Sequence, residues 1–138
     1  MPCGRFSTAE AGRVLDRAIR RVGTSPKLPG TRIEVSGGIK KGPMEKTAAA
    51  AYLVELLQDV AAQLGLSFND VQTGGNSDGN HMAELGIPVL DGLGPIGGDD
   101  HSSSEYLDAD SIVPRTALLA GMIAATATHR DELAARGV

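Results

Sequence analysis

Residues 72–106, QTGGNSDGNHMAELGIPVLDGLGPIGGDDHSSSEY, combine dense glycine, short polar side chains and two of the chain's three histidines. Glycine lets backbone amides approach a ligand, and histidine beside carboxylates is material for a metal or acid–base site. Two chemistries compete for it. Gly75-Asn76-Ser77-Asp78-Gly79 fits G-x-S-x-G, the strand-to-helix turn that presents a nucleophilic serine. Asp91, Asp99, Asp100 and His101 then follow in Ser, Asp, His order. Against a serine hydrolase, the preceding residues 68–73 (FNDVQT) are largely polar where a buried strand is needed, and no HGGG-like oxyanion segment is present. The metal reading centres on His101, flanked by Asp99, Asp100 and Glu105. A metal-bound histidine commonly hands its second ring nitrogen to a carboxylate. The same pattern also describes a surface histidine in an acidic loop. His81 reads as structural or exposed, and a helix C-terminus accounts for His129.

The elements around this stretch follow from periodicity. Ser7 or Thr8 caps a helix whose apolar residues Ala11, Val14, Leu15, Ala18, Ile19 and Val22 recur at spacings of three and four, with Gly23 as its stop. Residues 31–36 (TRIEVS) alternate as a strand does, and Arg5-Phe6 reads as the tail of another. Residues 47–64 form a long helix with a buried Leu/Val/Ala face, ended by Gly65. Residues 66–73 read as extended, 79–85 as a short helix capped by Ser77 or Asp78, and 87–93 as a buried strand. A last helix, 111–129, is capped by Asp108 or Asp110, with Pro114 tolerated in its first turn. This alternation predicts an α/β layer, a sheet covered by helices. A helix and one or two strands cannot enclose a core, so residues 1–42 must lean on something else.

Composition narrows the class. A chain of 138 residues, 41% hydrophobic with 3% aromatics and no Trp, fits one domain with an Ala/Leu/Val/Ile core. The single cysteine, Cys3, excludes an internal disulfide and all-cysteine zinc sites. The first residues carry no apolar run of the signal-peptide kind, and the apolar windows around 48–57 and 117–127 are short and interrupted for a bilayer span. The expectation is a cytoplasmic protein. Residues 1–46 carry a net charge of +6 and residues 47–138 a net of −10. Arg13, Arg17, Arg20 and Arg21 follow helical spacing, which points to a solvated face; neither interleaved aromatics nor a nucleic-acid motif accompanies them.

The run TGGNSDGNHMAELGIPVLDGLGPIGGDDHSSSEYLD, followed by SIVPRTALLAGMIA, strongly resembles the C-terminal end of the zinc-dependent aminoacylase and carboxypeptidase family. That family includes glutamate carboxypeptidases, acetylornithine deacetylases and succinyl-diaminopimelate desuccinylases. Its pattern is a TGG-[small]-[ST]-D turn, a helix, a G-x-P-V strand and a glycine-rich loop with an H-S-x-x-E-like end. Upstream, GGIKKGPME resembles the segment where a small lid domain returns to the catalytic domain, and RFSTAEAGRVLDRAIRRV resembles a lid strand's tail and helix. The resemblance implies a lid (dimerisation) remnant of α+β type at 1–42. It further implies the C-terminal section of a zinc-exopeptidase-like catalytic domain at 43–138.

For the site, the resemblance implies that His101 is the last metal ligand of a two-zinc centre. Thr73, Gly75, Asn76 and Ser77 fall on the turn that holds a substrate carboxylate through amides and hydroxyls. Lys41 falls where many members carry an arginine that pairs with that carboxylate. Lysine keeps the charge and loses the bidentate fork. Asn76 replaces a residue that is usually glycine or threonine. The family's H-x-D motif, bridging aspartate, paired glutamates and further carboxylate ligand precede the lid, and none has a counterpart in this sequence. One histidine does not hold a catalytic zinc, which takes three protein ligands. The expectation is therefore a part of a metallohydrolase that cleaves an amide next to a free carboxylate, catalytically incomplete alone. It would be a fragment of a longer enzyme or a carboxylate-binding or assembly module. The implied partners are an N-acyl amino acid or peptide and a second copy joined through the lid, with no nucleic acid and no membrane.

Overall fold

A computed structural model describes residues 4–137, so Cys3 lies outside the described residues. The fold is mixed α/β, with five α-helices and one small open sheet among the described residues. It divides into two compact units, Met1–Glu45 with Gly74–Ile87, and Lys46–Thr73 with Pro88–Val138.

In the first unit, α1 (Ala9–Thr24) begins where the Thr8 hydroxyl accepts the Ala11 amide at 3.1 Å. Phe6 packs its ring on Gly12, the one buried residue of the helix, where a Cβ would collide with it. Its arginines are tied along the helix: Arg13 and Arg17 to Glu10 at 2.8 and 3.4 Å, and Arg20 to Asp16 at 2.8 Å. The hydrogen bond and charge of Arg13 hold the Glu10 carboxyl below its ordinary range. The helix runs past Gly23, which sequence reasoning assigned as its stop. Gly23 instead lies in the last turn, and its missing Cβ makes room for Val35. The second helix of this unit, α3 (Gly79–Glu84), ends before Gly86, whose φ of 80° is the left-handed turn that glycine permits.

In the second unit, α2 (Ala48–Gln63) starts at Thr47, whose hydroxyl accepts the Ala50 amide, and gives way to Gly65 at φ 69°. It packs on α4 (Ile112–Thr128), and Leu56, Leu57, Ala61, Leu118 and Met122 form the core between them. Leu118 is fully buried. Gly121 lies against Val60, a close helix approach that a side chain would prevent. A helix that sequence reasoning missed, α5 (Arg130–Gly137), turns back along α2. The Tyr52 hydroxyl meets His129 Nδ1 at 2.9 Å, and the Arg136 guanidinium sits 4.0 Å from the Tyr52 ring centre. His129 thus works as a packing contact as well as a helix end.

The strands correct the expectation most. Residues 31–36, 66–73, 87–93 and Arg5-Phe6 run without strand pairing. Alternating or apolar runs become strands only where a neighbour takes up their amides and carbonyls, and among the described residues none pairs with these segments. The sheet is instead a two-residue antiparallel pair, β1 (Gly97–Gly98) with β2 (Tyr106–Leu107), in register Gly97 to Leu107 and Gly98 to Tyr106. The two glycines allow this pairing because Tyr106 occupies the space a Cβ would need. The apolar window at 117–127 is also longer than read: with the 3-10 turn Ala109–Ser111, the run Ala109–Thr128 is long and apolar enough to cross a membrane by length and composition.

Candidate functional site

The turn before α3 is built by reciprocal capping. The Ser77 hydroxyl accepts the Gly79 amide at 3.1 Å, and the Asn80 side-chain oxygen accepts the Ser77 amide at 3.0 Å. This is the logic of a capping box, with asparagine in the returning role. Asn80 also donates its side-chain N–H to the Gly42 carbonyl at 2.8 Å, while the Gly42 amide donates to Glu84. Gly42 is therefore clasped from both sides by α3. That clasp places Lys41, the neighbouring residue, with Nζ donating to the Ser77 carbonyl at 3.3 Å and lying 3.7 Å from Asp78 Oδ1. Lys41 is half-buried, whereas Asp78 is fully exposed.

Sequence reasoning singled out Lys41 and Ser77, and the fold brings them together. It missed Asn80 and Glu84, the residues that hold Lys41 in place. The available signal was the S-x-x-N spacing of Ser77 and Asn80, a helix-start pattern. Asn76 stands exposed on the turn, and Thr73 and Gly75 are each engaged by contacts of their own. The Ser77 amide is spent on the cap, so the turn offers a ligand the Lys41 ammonium and the Ser77 O–H proton in place of that amide. The Ser77 oxygen hydrogen-bonds a backbone N–H, the environment of a cap rather than of an activated nucleophile.

His101 belongs to the second unit, on the loop joining β1 and β2. Asp99 and His101 both adopt left-handed backbone, at φ 56° and 66°. Aspartate and histidine tolerate that region better than most residues, at a cost of about 1–2 kcal/mol each. The loop is closed by the Ser102 amide on the Asp99 carbonyl at 3.1 Å and by the Ser102 and Ser104 hydroxyls at 2.9 Å. Glu105 accepts the His101 backbone amide at 3.4 Å. The expected carboxylate partner is thus present but meets the amide rather than the ring, because the tight left-handed turn sets Glu105 opposite the backbone. Arg115 also went unnoticed in the sequence. Lying over the Phe68 ring at 4.7 Å, it donates to the carbonyls of Gly92 and Gly94 and so pins the glycine-rich segment leading to His101. Ser111, buried, accepts the Ile96 amide at 2.8 Å and fixes the same segment further on.

A catalytic zinc takes three protein ligands and keeps a position for water. Among the described residues, no three His, Cys, Asp or Glu side chains converge to hold a metal ion. The donor set does not fit a zinc centre, and no chemical step runs through one here.

Compared with known proteins, residues 9–125 match the family described as Peptidase family M20/M25/M40. The chain belongs to the M20 peptidase family. Membership of this zinc-dependent exopeptidase clan agrees with the resemblance read from the glycine-rich stretch. No curated protein matches, and no solved structure does either. Within the M20 match fall Lys41, the Ser77 turn and His101 alike.

Proposed function

We propose that this chain supplies the substrate-carboxylate end of an M20 metallohydrolase site, together with one metal ligand, and is catalytically incomplete by itself. The reaction it serves is hydrolysis of an amide bond beside a free carboxylate, of the glutamate carboxypeptidase or deacylase kind. Residues 1–42 correspond in this reading to a lid remnant and 43–138 to the end of the catalytic domain. The observation that carries it is the placement of Lys41: a half-buried ammonium held over the Ser77 turn by the Gly42 clasp.

The electrostatics favour an anion. A lysine ammonium has three N–H donors. The Ser77 carbonyl takes one, and Asp78, exposed and at 3.7 Å, is a weak, screened competitor for a second. A ligand carboxylate can displace Asp78 and accept from Lys41 and the Ser77 hydroxyl together, in charge-assisted hydrogen bonds. In this reading His101 is one metal ligand, which needs further ligands to retain zinc.

The test is a hydrolysis assay on the pure chain with N-acyl amino acids, run with added zinc and with chelator. The expected result is no turnover in either, alongside calorimetric binding of the acyl amino acid that Lys41→Ala abolishes. Chelator-sensitive product formation would refute the incompleteness. Binding unchanged in Lys41→Ala would refute the assigned carboxylate site.

A further inference from the structure

Glu84 uses both of its carboxylate oxygens. Oε1 accepts the Gly42 amide, and Oε2 faces Nδ1 of His81, one turn earlier on α3, at 3.8 Å. A Cβ on residue 42 would collide with the carboxylate, so glycine is what lets Glu84 lie against the backbone there. Lys41 is the neighbouring residue, half-buried, with its ammonium over the Ser77 turn. A chain of contacts therefore runs from the His81 ring through Glu84 and the Gly42 amide to Lys41.

The link in that chain that responds to pH is His81. Histidine changes charge between pH 5 and 8, whereas carboxylates and lysine ammoniums ordinarily keep theirs across that range. At 3.8 Å the pair is longer than a hydrogen bond, so a neutral ring gives Glu84 little. An imidazolium attracts the carboxylate as an i, i+3 ion pair. The two side chains are 47% and 42% exposed, which keeps the attraction in the weak range of a solvated pair. Asp78 and Glu84 are the acidic groups of α3 and its cap, and Lys40, Lys41 and Glu45 are the charged groups on the segment beside it. Lys41 is turned to Ser77 and Asp78, and Glu45 to the Ala9 amide. Among the described residues only Glu84 lies within ion-pair distance of His81.

We propose that His81 is a positioning residue for the carboxylate site, acting through Glu84 on the Gly42 clasp. Protonated, it holds Glu84 on the Gly42 amide and Lys41 over the Ser77 turn, and the site binds a carboxylate more tightly. The proposal rests on the carboxylate reading of Lys41. Its sign follows from the geometry. Protonation adds a partner at Oε2 and leaves the Oε1 bond to Gly42 in place, so the clasp is firm below the histidine's titration and loosens as pH rises through it. A direct attraction between the imidazolium and the ligand has the same sign, but it does not pass through Glu84, and replacing Glu84 separates the two.

Calorimetric titration of the full chain with an N-acyl amino acid at pH 6 and pH 8 tests this, with the Gly42 amide followed by NMR at both. The wild type is expected to bind about 2- to 5-fold more tightly at pH 6, the range of an exposed ion pair. His81→Gln is expected to bind at both pH values as the wild type does at pH 8, and His81→Arg at both as the wild type does at pH 6. Glu84→Gln keeps an oxygen for the Gly42 amide and loses the charge, so it is expected to bind without pH dependence. Both positions are exposed, so these variants keep the fold. The Gly42 amide shift is expected to move with pH in the wild type and to stay still in His81→Gln. Wild-type binding equal at the two pH values, or a pH dependence kept in His81→Gln or in Glu84→Gln, would overturn the proposal and leave the carboxylate site standing. Absence of binding at both pH values would overturn the carboxylate site itself, and this proposal with it.

Discussion

Lys41 illustrates how little of a site is its charged atom alone. The ammonium stays over the Ser77 turn because Asn80 and Glu84 hold Gly42 on either side. Asp78 Oδ1 lies 3.7 Å from the same ammonium, where in the proposed site it would compete with an incoming carboxylate. Removing that competitor, as Asp78→Asn, should tighten carboxylate binding by about 2- to 5-fold, the range of an exposed ion pair, measured by calorimetry. Asp78 makes no side-chain cap bond, so the helix start should survive the change. His101 makes the opposite case, a residue kept where its backbone is unfavourable. His101→Gly should raise stability by about 1 kcal/mol in denaturant unfolding, since glycine reaches φ 66° freely. A loss of stability would mean that the imidazole itself holds the loop.

At the scale of the element, four of the five described helices follow directly from the chain and the expected strands do not. Thr8 and Thr47 announce helix starts by their own hydroxyls, and Gly65 and Gly86 mark ends by their own φ. These are local facts, so residue types reveal them. The strands expected at 31–36, 66–73 and 87–93 depend on partners that no local pattern supplies. The missed helix α5 is polar, and its stability comes from Tyr52 and Ala49 of α2 rather than from its own periodicity. The packing of α2 on α4 should be the stability-determining contact. Leu118→Ala should cost about 2–5 kcal/mol in denaturant unfolding, the range of a buried leucine truncation. Gly121→Ala, driving a methyl into Val60, should cost about 1–3 kcal/mol. One ion pair bolts the start of α2 to the segment after it: Lys46 meets Asp70 at 2.8 Å. The hydrogen bond from Lys46 holds the Asp70 carboxyl below its ordinary value. A depressed carboxyl stabilises the fold above its unfolded pKa, and that contribution is lost as pH falls through the folded one. Lys46→Met should therefore return the Asp70 titration, followed by NMR, upward toward the usual carboxylate range. It should also remove the part of the acid dependence of stability due to Asp70.

For the whole molecule, the family follows from the glycine-rich stretch because its motifs are contiguous, from the TGG turn through the loop of His101. Among the described residues, no three His, Cys, Asp or Glu side chains converge on a metal site. What the sequence left open was how the carboxylate turn is built, because the Gly42 clasp joins residues 38 and 42 positions apart. The central claim, a carboxylate-holding site without the means of hydrolysis, can be read from one experiment. Amide NMR spectra of the pure chain with zinc and an N-acyl glutamate report binding and turnover together. The account predicts shifts confined to the neighbourhood of Lys41, Asn76 and Ser77, with the acyl signals unchanged over time. Growth of free carboxylic acid and amino acid signals, stopped by chelator, would contradict it.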